Sequence, residues 1–565
     1  MKRYFWGILL IGITIQLFGK YEFRERIYVQ TDKHLYLAGE QILIKLLTID
    51  VEQIPLDFSK IAYVELIDDS VARLQIKVEL ANGTGSGLML LPADLPTGYY
   101  RLIAYTQFMR NEGADVFFEK NIAVLNTFQS GYQPAKMETT ETEHNSTFVE
   151  ETDFGMFSLQ SDKTIYTTRT HGELILSGLP ENIHTLSVSI AGKEFVPIVE
   201  SNVSLFQKNM TKKTTEFTGK FLPEYEGHII TGKIIDNQTE KEVITDKFFV
   251  SGIAFPSDGI RFFTGQKTKT EDILFFTSGI SGTKEMTTVV YNADEKYRLD
   301  IQSPFVTRYA PKQMPVLHID SAYYGQALER SVALQVFRYF SDDSSENRDV
   351  SEPYFKVKPT WSYPLDDYTR FTTMREVFIE FIIGARFRRN ASGKQEISVL
   401  TKKGAYHDYG IMPLVLLDGV PVADHDAIYN YDPLSVEKIN IYYGPFILGG
   451  YQFGGIVELI TYRWLRQNLN LNKSTQILAY EGPQQTYRFY TPDYSEKENR
   501  NSLIPDSRHT LLWNPNVSTN GKNSIHLPFD TSDLIGEFQA TVEGITKDGK
   551  YFFMTTLFKV ERLSN

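Results

Sequence analysis

Arg26-Ile-Tyr-Val-Gln-Thr-Asp-Lys33 is followed by Tyr36-Leu-Ala-Gly-Glu40 and then by Gln41-Ile-Leu-Ile-Lys-Leu46. Successive side chains of a strand point to opposite faces, so this alternation predicts strands with one buried and one wet face. Leu95-Pro-Thr-Gly98 makes a turn ahead of Tyr99-Tyr-Arg-Leu-Ile-Ala-Tyr105. Strands at this spacing, separated by Gly and Pro turns, predict an all-β sandwich. Thirty-three Tyr and 38 Phe against four Trp suit half-buried strands.

An internal echo extends the pattern. Gln30-Thr-Asp-Lys33 with Tyr36 and Gly39-Glu40 recurs as Gln160-Ser-Asp-Lys163 with Tyr166 and Gly172-Glu173, predicting a second sandwich over 155–222. Between the two, 128–152 is rich in Thr, Glu, Ser and Asn and reads as a linker. Tyr-Val-Gln-Thr-Asp-Lys-x-x-Tyr-x-x-Gly-Glu, followed by Leu-Pro-x-Gly-Tyr-Tyr-Arg-Leu, resembles the macroglobulin-like β-sandwich of the alpha-2-macroglobulin superfamily over 24–127. Protease traps of that superfamily carry a Cys-Gly-Glu-Gln thioester. Here the stretch is Ala38-Gly-Glu-Gln41, so no acyl thioester forms and trap chemistry is not expected.

Further along, Glu226-Gly-His-Ile-Ile-Thr-Gly-Lys-Ile-Ile235 is similar to the opening of carboxypeptidase-regulatory-like, prealbumin-like sandwiches, extending to 303. A helix and linker over 304–365 follow, with Leu328, Val332, Val336 and Phe340 at helical spacing. Thr373-Met-Arg-Glu376 fits a capping box, Met374, Val377, Phe378, Phe381 and Ile382 fall on one helical face, and Gly384 supplies a left-handed stop. Pro413-Leu-Val-Leu-Leu-Asp-Gly-Val-Pro-Val422, Asp432-Pro433, Val436-Glu-Lys-Ile439, Tyr443-Gly-Pro445 and Gly454-Gly-Ile-Val-Glu-Leu-Ile-Thr461 then come in order. This set resembles the plug domain of TonB-dependent outer-membrane receptors over 366–463, an α+β unit. In those receptors a barrel of about 22 strands follows, each of ~9–11 residues. Here 565 − 463 leaves 102 residues after Arg463, too few for a barrel. They predict one more β-sandwich over 464–565 instead, and transport by this chain alone is not expected.

Lys2 and Arg3 ahead of an apolar run from Phe5 to Phe18, then Gly19, predict a signal peptide over 1–19. Fourteen helical residues reach only ~21 Å against a ~30 Å hydrocarbon core, although retention as a short anchor stays open. Export to the periplasm or the outer membrane of a Gram-negative cell follows.

Composition closes off several chemistries. With no cysteine there are no disulfides, thiolate metal sites or cysteine nucleophiles. A net charge of −12, from 58 basic and 70 acidic residues, offers no footprint for nucleic acid. No His-Glu-x-x-His helix and no Gly-x-Ser-x-Gly elbow occur. Gly83-Thr-Gly-Ser-Gly87 lacks the Lys-Ser/Thr of a phosphate loop and reads as a turn. Asp424-His-Asp426, with His407-Asp408 nearby, is the best ligand cluster, read as a hydrogen-bonded loop rather than a metal site.

No enzyme, cofactor or metal is therefore expected. The candidate interaction surface is the aromatic, Gly-rich stretch of Tyr429, Tyr431, Tyr442, Tyr443, Gly444, Phe446, Gly449, Gly450, Tyr451, Phe453, Gly454 and Gly455. Rigid amphipathic rings supply contact area at low entropy cost, but the same residues also suit a core. The expected role is an envelope interaction subunit that joins an outer-membrane β-barrel protein or transport/assembly complex through the plug-like domain. The alternative is a stand-alone glycan- or peptide-binding protein with a pocket of Tyr429, Tyr443 and Tyr451.

Overall fold

The computed structural model describes residues 23–562 apart from 129–156, 195–199, 213–215, 245–249, 292–294, 318, 320–322, 341–356, 401–410, 449–450, 463–470 and 486. The expected signal peptide, nearly all of the linker, His407-Asp408 and the Gly449-Gly450 pair lie outside the described residues. Two compact units result. One comprises the chain up to Tyr225, Thr307–Asp343 and the chain from Gln484; the other comprises Glu226–Val306 and Ser344–Pro483.

The first unit begins with the sandwich expected over 24–127. Its strands are β1 (Glu25–Thr31), β2 (Leu35–Leu37), β3 (Gln41–Asp50), β4 (Ile61–Asp68), β5 (Val71–Glu79), β6 (Thr84–Leu90), β7 (Gly98–Tyr105) and β8 (Phe118–Leu125). They form one sheet ordered β1-β3-β6 and another ordered β2-β8-β7-β4-β5. Of the Gly-rich stretch expected to be a turn, only Gly83 is one, with φ +73° and room for no Cβ (1.8 Å from the Leu56 carbonyl oxygen); Thr84 to Gly87 open strand β6 and pair with β3. The wet face expected of β1 and β3 is absent, because both strands are buried almost throughout. Tyr28 packs edge-on to Phe206 and Tyr551, Ser187 Oγ donates to Gln30 Oε1, and Lys45 Nζ donates to Thr185 Oγ1 at 2.6 Å. A second layer of protein covers the outer face.

That layer is the second sandwich, and its composition corrects two expected boundaries. β9 (Ser158–Ser161), β10 (Ile165–Thr167), β11 (His171–Ser177) and β12 (Ile183–Gly192) pair with strands Thr510–Asn514, Ser524–Asp530, Gly536–Thr546 and Tyr551–Glu561. One sheet runs β9, β11, 524–530; the other runs β10, 551–561, 536–546, β12, 510–514. The order reproduces the first sandwich strand for strand, including the parallel pairing of β2 with β8, here β10 with 551–561. The separate sandwiches expected over 155–222 and 464–565 are thus one sandwich, interrupted between its fourth and fifth strands by residues 193–509. A single core of Leu174, Leu176, Val188, Ile190, Leu511, Phe538 and Phe552 joins the two halves.

The echoed motif explains the repetition. Tyr36 Oη accepts from Lys33 N–H at 3.1 Å and donates to Asp32 Oδ1 at 2.7 Å. Tyr166 Oη does the same with Lys163 N–H at 3.2 Å and Asp162 Oδ1 at 2.6 Å. In each copy the same aspartate oxygen also receives a backbone N–H from the third strand, Leu43 or Glu173. The motif is a turn lock that ties three strands together, hence its fixed residue types.

Helix Tyr324–Phe340 forms as expected but buries another face. Ala327, Arg330, Ser331 and Ala333 are buried, while Leu328, Val332 and Phe340 are exposed. Ala327 and Leu334 pack with Leu35, Leu37, Ala123 and Leu125 at the β2–β8 edge, and small residues permit that close approach.

In the second unit, Ile229–Asp236, Ile273–Phe276 and Tyr297–Ile301 form one sheet with the short strand Gln266–Lys267. Phe262–Thr264, Ser251–Ala254 and Thr283–Val290 form the other, completed by Thr475–Glu481. Ile477 to Glu481, expected in a C-terminal sandwich, therefore belongs to the sandwich expected over 226–303. The α+β domain has a sheet ordered Trp361–Pro364, Val436–Leu448, Tyr451–Thr461, Leu414–Leu417, Val420–Pro421, with helix Met374–Glu380 and hairpin Ala385–Arg389/Gln395–Val399. Thr373 caps the helix, its Oγ1 accepting from Glu376 N–H at 3.3 Å. Gly384 is no left-handed stop, since Phe381 already ends the helix. Its missing Cβ instead makes room for Trp361, whose Cδ1 would lie 3.0 Å from it.

Candidate interaction surface

The expected surface centres on the hairpin of Val436–Leu448 and Tyr451–Thr461. Tyr443 stands opposite Gly455, Phe446 opposite Phe453, and Leu448 opposite Tyr451, with a register shift between Tyr443 and Phe446. The glycines serve close backbone approach: a Cβ on Gly444 would lie 2.4 Å from the Gly454 carbonyl oxygen, and one on Gly455 would lie 2.6 Å from Val399 Cγ1. Gly454 is likewise buried.

Most of the aromatic rings turn inward. Tyr442 and Phe453 are buried with Phe262, Tyr291, Leu414 and Ile456, and Phe446 and Tyr451 pack against that cluster. Phe453 meets Phe262 edge-on at 5.6 Å and Tyr451 at 4.9 Å. Tyr442 Oη donates to Glu458 Oε2 at 3.1 Å; burial, with Glu458 beside it, pushes the phenol above its ordinary range. Tyr431 is buried in the core of the α+β domain, and Tyr429 sits edge-on to Phe387 at 5.1 Å. The hairpin therefore uses its rings to join the α+β domain to the neighbouring sandwich. Tyr443 packs against the core of the α+β domain, as does Phe387, the ring partner of Tyr429, whereas Tyr451 packs in the cluster shared with the neighbouring sandwich.

Asp424-His-Asp426 is committed to the backbone. His425 Nδ1 accepts from Ile397 N–H at 3.0 Å, Asp426 Oδ1 from Gln395 N–H at 2.9 Å, and Asp424 Oδ1 from Asp426 N–H at 3.1 Å. Burial lowers His425 to about 4, which keeps the imidazole neutral and able to accept.

Tyr443 is half-buried against the core of the α+β domain, and what stays exposed is a set of residues not anticipated from sequence. Trp361 Nε1 donates to Tyr443 Oη, and the Trp361 ring stacks near-parallel to Tyr363 at 6.2 Å. Tyr368 stacks on Phe381 at 4.2 Å, and Phe381 in turn neighbours Tyr363 and Phe371. Trp361 is 39 % exposed, Tyr368 38 %, Ile383 60 % and Ile379 64 %. The Trp361 edge strand supplies one end and the helix C-terminus the other. The sequence signal was Trp361-Ser-Tyr363 with Tyr368 and Phe371, four aromatics in eleven residues against five in the twelve of 442–453.

No family model matches the chain, and no curated protein does. Among solved structures, Salmonella alpha-2-macroglobulin reacted with methylamine aligns with 96 % of this chain and 40 % of its own, at 9 % identity and a TM-score of 0.25. Escherichia coli alpha-2-macroglobulin activated by porcine elastase aligns with 95 % and 44 %, at 10 % identity and 0.24. The Escherichia coli adhesin FdeC aligns with 53 % and 66 %, at 9 % identity and 0.14. The chain spans only about two fifths of the length of those macroglobulins. At scores this low, the mainly β, multidomain architecture rests on the strand orders above. Among the described residues no helix is long and apolar enough to cross a membrane.

Proposed function

We propose that this chain is a non-enzymatic, exported interaction subunit of the Gram-negative cell envelope, acting in the periplasm or at the outer membrane. Its partner, an outer-membrane barrel protein or envelope assembly, docks on the exposed edge formed by Trp361, Tyr368, Ile379 and Ile383. The observation that carries this reading is that edge itself. Large apolar and aromatic side chains contribute ~1.5–3 kcal/mol each when fully buried, so leaving several exposed side by side costs solubility unless a partner covers them. Trp and Tyr are also the residues that dominate binding energy at protein interfaces. The plug-like order of motifs over 366–463 supports a barrel as that partner.

The test is mild-detergent purification of the tagged full chain from native envelopes, with cross-linking and mass spectrometry. Stoichiometric recovery of an envelope protein, lost in Trp361→Ala/Ile383→Glu but kept in a control substitution at exposed Leu503, is the expected result. Recovery of the wild-type chain alone as a monomer overturns the proposal and favours the stand-alone glycan- or peptide-binding reading.

A further inference from the structure

The segment that brings the chain back into the second sandwich carries a feature outside the surface just described. His171, the first residue of β11, is the direct cross-strand partner of Asp530, the last residue of Ser524–Asp530. Asp493, in the returning segment, reaches the same point. One ligand atom from each of the three lies within 4.8 Å of the others. His171 Nδ1 and Asp530 Oδ1 are 3.2 Å apart. That separation is a hydrogen bond as it stands, and it is close to the about 3.4 Å between neighbouring donors on one tetrahedral ion with metal–ligand bonds of ~2.1 Å.

Charge singles these carboxylates out from their neighbours. Asp506 is held by Arg508, with contacts of 2.6–3.0 Å, and Asp533 by Arg169 at 2.7 and 2.8 Å. Both nearby guanidinium groups are thus occupied. Among the described residues no lysine or arginine pairs with Asp493 or Asp530, which have only His171. The donors are also held in place. Asp530 Oδ1 accepts from Tyr494 N–H at 3.1 Å, and Asp493 Oδ1 accepts from Ser495 N–H at 2.8 Å and Ser495 Oγ–H at 2.6 Å. Tyr494, between them in the chain, is buried and donates to Asp506 Oδ2 at 3.0 Å.

We infer that His171, Asp493 and Asp530 form a binding site for one divalent transition-metal ion of the zinc class. An imidazole nitrogen with two carboxylates suits such ions better than calcium or magnesium, which favour all-oxygen shells. His171 and Asp493 are exposed, so water completes the coordination. The ion clamps the returning segment to the strand pair that it rejoins.

The full-length chain, stripped with chelator, is titrated with zinc chloride by calorimetry, with calcium chloride as the comparison. Limited proteolysis then follows cleavage within 484–503 with and without zinc. The expected result is one zinc per chain, slower cleavage of that segment with zinc, and weaker calcium binding. His171→Ala and Asp493→Asn each weaken zinc by at least the about tenfold that follows loss of even an outer-shell partner. His526→Ala, which removes the exposed His526–Glu173 pair, leaves zinc affinity unchanged. Circular dichroism confirms that each variant is folded. Absence of zinc binding by the wild type, or equal affinity in wild type, His171→Ala and Asp493→Asn, overturns the assignment.

Discussion

Replacing Arg330 by Met is the sharpest probe of the first unit. Arg330 Nε donates to Glu40 Oε1 at 2.9 Å and Nη2 to Glu40 Oε2 at 2.7 Å, with a further bond from Nη2 to the Leu35 carbonyl at 3.0 Å. Both side chains are almost fully buried, at 5 % and 6 % exposure. Burial alone would raise the Glu40 carboxyl, yet Arg330 and Lys33 outweigh it and hold the group at about 2 against 4.5. At ~1.36 kcal/mol per pKa unit that depression is worth roughly 3 kcal/mol. Because the folded-state pKa is depressed, the contribution is present above pH 4.5 and is lost as pH falls towards 2. Truncating one partner strands a buried charge, so Arg330→Met should cost about 3–5 kcal/mol, whereas Glu40→Leu/Arg330→Met should recover most of it. Amide hydrogen exchange is the assay, because it reads the helix Tyr324–Phe340 and strand Leu35–Leu37 locally in a multidomain chain. Exchange in Arg330→Met as slow as in the wild type, or a double variant as damaged as the single, would refute the reasoning.

Two further outcomes follow from buried groups. Burial lowers Lys45 from 10.5 to about 7, with Glu543 opposing. The unfolded chain therefore holds the proton more tightly, and this group's contribution to stability grows from pH 7 to 10.5 and is lost as pH falls through about 7. Lys45→Met should flatten that slope and gain up to about 5 kcal/mol at pH 6 but only about 2 kcal/mol at pH 9, read from melts at the two pH values. Gly444→Ala should disrupt the hairpin, since its Cβ would meet the Gly454 carbonyl oxygen at 2.4 Å. A loss of about 1–3 kcal/mol or more in denaturant unfolding is expected, with Trp361 fluorescence shifting as Tyr443 moves.

Features fixed by local chemistry were readable from sequence. Asp32, Lys33 and Tyr36 and their counterparts Asp162, Lys163 and Tyr166 are close in the chain, so the turn lock announced both sandwiches. The completion of the second was hidden, because β12 finds its neighbours only at Thr510 and beyond and nothing local marks that pairing. The helix at 324–340 was legible, but its buried side was not. Apolar periodicity pointed to Leu328 and Val332, whereas close packing selected Ala327 and Ser331 and an ion pair selected Arg330. At the candidate surface, dense Tyr and Phe signalled apolar demand without saying which partner meets it. For Tyr442 and Phe453 the partner is the adjacent sandwich, whereas Trp361 and Tyr368, stacked on Tyr363 and Phe381, stay partly exposed.

The interrupted second sandwich has a consequence for biogenesis. Ala191 and Thr510 are cross-strand partners but 319 positions apart in sequence, from 510 − 191. At ~5–20 residues per second, synthesis of that interval takes roughly 15–60 s. Throughout it the first four strands have a half-built core and unpaired edges, the state most prone to adventitious strand addition. Loop closure over such a span also slows assembly. The first sandwich, local in sequence, is free to form early and offers the outer face of β1 and β3 as a template for the waiting strands. The second sandwich thus closes only when 536–561 pair, and truncation within that stretch would be felt as far away as Leu174.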